Sequence, residues 1–148
     1  MVTLPLIPQK PARLVCAWLL AFQGVAGLAW WGVLLGWPGT RAYFFSAEAG
    51  ETTLWAFALA DLLLFVGLSV VCPVGVARNA FWARAALLLH AGGTLYASLF
   101  CWGLLFSSGF QVWLGAAAMT PSACFVLWLS WHFSLRSLEP CSIPSMPE

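Results

Sequence analysis

Residues 85–135 read AALLLHAGGTLYASLFCWGLLFSSGFQVWLGAAAMTPSACFVLWLSWHFSL, and none of these 51 residues carries a formal charge. A helix rises about 1.5 Å per residue and the hydrocarbon of a bilayer is about 30 Å thick, so the stretch is long enough to cross twice. Ser107-Ser108-Gly109 breaks it near the middle, which predicts two spans joined by a tight turn. The core of a soluble domain of this length is too small for so long an uncharged run.

Working outward, two more apolar runs precede it. The four spans fall at about 14–36, 54–72, 82–106 and 112–133, with Trp37-Pro38-Gly39 closing the first and Cys72-Pro73-Val74-Gly75 closing the second. The runs lack the two-residue alternation of a barrel strand, and backbone groups in lipid must be satisfied within the segment, so helices are expected. The chain is therefore predicted to be an all-α integral membrane protein, a four-helix bundle with short loops occupying residues 1–136. Residues 137–148, with Pro140, Pro144 and Pro147, have too few apolar side chains to pack and read as a disordered tail. The first run is also too long for the ~7–15 apolar residues of a signal peptide and reads as a retained span.

Composition narrows the function classes. Of all residues 62% are hydrophobic and 7% charged, which leaves little material for a soluble catalytic domain. The net charge is +1 with the six basic residues scattered, so the electrostatic footprint of a nucleic-acid binder is missing. The five cysteines form no C-x-x-C pair, which excludes a zinc ribbon or a thioredoxin-like dithiol. A haem held by two histidines is disfavoured, since helical rise puts His132 roughly 10 Å from the level of His90. His90 alone could ligate a pigment or haem, but a lone intramembrane His is more often a hydrogen-bonded helix contact, and the sequence leaves the cofactor unknown.

Lys10, Arg13, Arg78, Arg84 and Arg136 fall on one side of the spans, and only Arg41 falls on the other, beside Glu48 and Glu51. The excess of basic residues predicts cytoplasmic termini in an inner or plasma membrane. Trp30, Trp31, Trp37, Trp55, Trp102 and Trp113 near the outer ends, with Trp18, Trp82, Trp128 and Trp131 near the inner ends, read as aromatic belts at the headgroups. In the outer loop, Ala42-Tyr43-Phe44-Phe45 is too short to span and is expected to lie in the interface, with Ser46 or Thr52 capping the next helix.

Asp61 is the one acidic residue within a span, at a cost of roughly 2.5–3.5 kcal/mol on insertion scales. It needs a partner. Helical rise places Asp61 and His90 within roughly 7 Å of each other in depth, and Gln23 and Ser122 fall near the same middle level. The four residues Gln23, Asp61, His90 and Ser122 are the candidate intramembrane polar site. Two readings stand: hydrogen-bonded glue between helices, or a site that grips a polar head or moves a proton. His90, Gly93, Thr94, Ala97, Ser98 and Cys101 form a small and polar stripe on the third span, expected to face a neighbouring helix. Gly32 and Gly36 offer a pattern for close packing, and Pro121 is expected to kink the fourth span.

The leading expectation is a non-catalytic accessory or scaffold subunit, embedded in the lipid bilayer with partner membrane subunits or as a homo-oligomer. The alternative is a binder or carrier of a small apolar or amphipathic molecule using the Asp61/His90 cluster.

Overall fold

The computed structural model of the protein describes residues 10–45, 51–108 and 113–135. Among them there is no strand. The chain is an all-α four-helix bundle: α1 (Lys10–Gly36), a second long helix made of α2 (Glu51–Asp61), a π-helical turn (Leu62–Gly67) and α3 (Leu68–Arg78), then α4 (Ala83–Ser108) and α5 (Trp113–Leu135). All four are long and apolar enough to cross a membrane. Arg136, Ser46, Glu48 and the expected disordered tail 137–148 lie outside the described residues, as do residues 109–112 of the α4–α5 turn.

The second helix departs from its expected length. It runs through Cys72-Pro73-Val74-Gly75 and ends only at Arg78, where Asn79 turns left-handed (φ 53°) and its successor Ala80 donates its N–H to Gly75 O at 2.9 Å. Proline removes one N–H and crowds one carbonyl, which a helix held by neighbours on both sides can absorb; the turn chemistry of Asn79 is what stops it. Gly75 makes that turn possible, since an added Cβ would lie 2.7 Å from the Trp82 ring. Thr52 sits inside the first turn of α2, two residues past the capping position.

Antiparallel packing sets the register. Along α1 and the second helix, Trp31 meets Asp61, Gly27 meets Phe65 and Val66, and Gly24 meets Ser69. A Cβ on Gly24 or Gly27 would come within about 3 Å of those side chains, so these two glycines allow the helices their close approach. A Cβ added at Gly32 or Gly36 would meet nothing within 4 Å, so that pair lies on an open face of α1 among the described residues. On the other side of the second helix, Gly93 of α4 abuts Leu64, where an added Cβ would lie 2.9 Å from the Leu64 Cβ. The small stripe of α4 thus faces a neighbour, as its residue types imply.

Two apolar clusters fill the bundle. Near the end carrying Lys10, Arg78 and Arg84, Leu20, Cys72, Val76, Leu87, Val126 and Leu129 are fully buried together. Toward the opposite end the cluster is built on Trp31, Leu34, Phe45, Leu54 and Phe65. Residues 38–45, expected to lie in the interface, form a compact turn at this end of the bundle. Pro38–Tyr43 forms a 3-10 turn, Arg41 Nε donates to Leu34 O at 2.8 Å at the C-terminal end of α1, and Phe44 and Phe45 fold back onto the bundle. Trp30 meets Phe44 edge-on with ring centroids 3.9 Å apart.

Candidate functional site

Neighbouring helices pack as pairs except at one seam. α1 lies along α3 and the π turn, α3 against α4, and α4 along α5. Between α1 and α5 instead lies a cavity of about 370 Å³, floored by the second helix and α4 and covered at the far end by Phe44 and Phe45. Its rim includes the exposed residues Leu19 and Phe22 of α1 and Pro121 of α5, so it opens sideways, between helices. Volumes of roughly 300–1,000 Å³ are those of small-molecule sites.

The wall of this cavity is apolar apart from the thiol of Cys101 and three side chains: Gln23, Asp61 and Ser122. These are three of the four residues singled out by sequence. Eight lining residues are aromatic, with Phe57 and Phe100 stacked at 4.6 Å. Among the described residues, the lining includes no Lys, Arg or His. Pro121 lines the wall beside Ser122, and its missing N–H frees the carbonyl of Ala117 from the helical ladder.

Asp61 closes α2 and is buried, 7% exposed. Its Oδ2 accepts from the indole N–H of Trp31 at 2.6 Å. Trp31, 2% exposed, is thus no belt residue; a buried indole needs an acceptor, and Asp61 is its acceptor. Trp18, Trp37, Trp55, Trp102, Trp113, Trp128 and Trp131 are exposed near helix ends. The second carboxyl oxygen, Asp61 Oδ1, is buried with no hydrogen-bond partner, and so is Gln23 Nε2, whose side chain is 8% exposed. A buried polar atom left unpaired costs about 1–3 kcal/mol.

His90 does not belong to this set. Its Nδ1 donates to Leu64 O and its Nε2 accepts from the Ser69 hydroxyl, both at 3.2 Å, while Thr94 Oγ1 donates to the His90 carbonyl. The expected direct pairing of Asp61 with His90 is therefore absent: each has its own partners. The cause is the π turn between Asp61 and Ser69. Its i→i+5 bonding adds a residue to one turn, and at ~100° of rotation per residue that redirects the residues beyond it, so Asp61 looks toward α1 and the cavity while Ser69 and the Leu64 carbonyl meet His90. The four residues also do not share one level. Gln23 stands beside Gly24, which faces Ser69, whereas Asp61 faces Trp31; eight residues of helix separate the two levels, ~12 Å.

Other polar contacts join α4 to α5. Ser130 Oγ donates to Leu87 O at 3.0 Å, and Trp102 Nε1 to Thr120 Oγ1 at 3.0 Å. Among the described residues, no group of three His, Cys, Asp or Glu side chains is placed to hold a metal ion. No protein-family model, curated protein or solved structure matches the chain.

Proposed function

We propose that the protein is an integral membrane protein that binds a small amphipathic molecule in the cavity between α1 and α5, entered from the lipid. The observation that carries this reading is a pair of side chains, Asp61 and Gln23, that line an otherwise apolar and laterally open cavity and each keep one buried polar atom, Oδ1 and Nε2, without a partner. Interhelical glue would pair its polar atoms within the protein, as His90 does. A bound molecule with polar groups at both levels and an apolar body between them would satisfy both.

The orientation we propose has both termini cytoplasmic. Lys10, Arg13, Arg78 and Arg84 share one end of the bundle, while Arg41 is paired with Glu51 at 3.5 Å at the other, and such an excess of basic residues marks the inner side. The second reading is an accessory subunit or homo-oligomer, favoured by the open face of α1 at Gly32 and Gly36.

The test is native mass spectrometry of protein extracted from its own membrane, with Ala118→Phe as a cavity-filling variant. A small molecule retained by the wild type and lost from a folded Ala118→Phe supports the binder. A wild type carrying nothing beyond bulk lipid, or equal retention by both, contradicts it. For orientation, a cysteine in place of exposed Tyr43 on a Cys-free background should react with an impermeant maleimide added outside, and one in place of Lys10 should not.

A further inference from the structure

The chemistry of the cavity wall narrows the ligand beyond "amphipathic". A purely apolar molecule would leave Asp61 Oδ1 as unpaired as before. An anion would meet a carboxyl group and, among the described residues, no Lys, Arg or His. The neutral acid form of Asp61 would present its O–H from Oδ1, which has no acceptor within the protein. The ionised form has Trp31 on one oxygen and no cation among the lining residues, an arrangement that costs much in a low-dielectric site unless a positive charge arrives from elsewhere.

The rest of the wall suits that charge. Phe57 and Phe65 flank Asp61 one turn away on either side, and Phe100 stacks on Phe57. Aromatic faces attract ammonium groups, by about 0.5–1 kcal/mol when exposed and about 2 or more when desolvated. The lateral opening between α1 and α5 would admit a molecule already dissolved in the membrane.

We infer that the ligand is a lipophilic amine, bound as its ammonium with an N–H directed at the Asp61 carboxylate and its apolar body among the aromatic rings of the cavity. The inference rests on the binding reading above. Asp61 supplies the counter-charge, Trp31 holds the carboxylate in place, and Gln23, ~12 Å further along, is left for an acceptor atom at the other end of the molecule.

The experiment compares 4-phenylbutylamine with 4-phenylbutanol, which share an apolar body and differ in charge. Binding of each to the full chain in one detergent is measured by calorimetry, with the Trp31 indole N–H resonance reporting on Asp61. The amine is expected to bind the wild type about 10-fold more tightly than the alcohol, as a charge-assisted bond exceeds a neutral one. Asp61→Asn, which keeps the size of the side chain, is expected to bring the amine to the level of the alcohol and leave the alcohol within about twofold. Ala118→Phe is expected to exclude both. Equal binding of both probes to the wild type overturns the amine inference and leaves the binding reading standing. Neither probe binding in an Ala118-dependent way overturns both. If Asp61→Asn does not fold, the ratio of the two affinities on the wild type decides alone.

Discussion

The contact of α3 and the π turn with α4 and the cleft between α1 and α5 are neighbouring regions of one small bundle, and both bury polar side chains. In the first, His90 uses both ring nitrogens, Ser69 is bonded to it and Thr94 to its carbonyl. In the second, Asp61 and Gln23 are nearly as deeply buried, yet each keeps an atom without a partner. The packing differs in the same sense: Gly93 touches Leu64 so closely that a Cβ would collide, while α1 and α5 stand apart around a cavity. Paired groups in a tight seam hold helices together. Unpaired groups in an open cleft weaken the bundle unless something binds there, and that difference separates glue from site.

Overpacking the seam should give the largest effect. Gly93→Leu is expected to destabilise the bundle by about 1–3 kcal/mol, whereas Gly103→Leu, where an added Cβ meets no neighbouring element within 4 Å, should be close to neutral. Folded yield and melting temperature in detergent measure both, and equal tolerance would break the description of the seam.

The next effect is the coupling within the seam. A double-mutant cycle of Ser69→Ala with His90→Leu should show about 0.6–1.7 kcal/mol, the range of hydrogen bonds between membrane helices. Smaller still is the coupling between the two regions. Asp61→Asn and His90→Leu should add within about 0.3–0.5 kcal/mol, because the two residues share no partner. A clear interaction between them would merge the seam and the cleft into the single cluster that depth arithmetic suggests.

That arithmetic shows where sequence reading reaches its limit. The spans were legible because hydrocarbon thickness fixes the length of an apolar helix. Gln23, Asp61 and Ser122 were legible as candidates because polar side chains are scarce in such runs. The partition among them was not. It depends on the π turn at Leu62–Gly67, which a 3.6-residue period does not reveal, and on the register of α1, set by Gly24 and Gly27 and not by Gly32 and Gly36. Trp31 looked like its neighbours in the belts because an indole suits both a headgroup and a buried carboxylate. Phe44 and Phe45 looked interfacial because their burial comes from a fold-back over Trp30 and the cavity, a contact between segments that local composition does not encode.

If the unpaired groups of the cleft serve a ligand, they add nothing to stability in its absence. Gln23 and Ser69 stand at the same level of the bundle, on either side of the α1–α3 contact, so the most direct measurement is the change in unfolding free energy of Gln23→Leu against Ser69→Ala in one detergent, without added ligand. Ser69→Ala should cost about 1–2 kcal/mol, because it strands His90 Nε2, and Gln23→Leu should be neutral or stabilising, because it removes a buried amide whose N–H bonds nothing. A Gln23→Leu that costs as much as Ser69→Ala would show that the cleft, too, is held together by its polar residues, and would contradict the account.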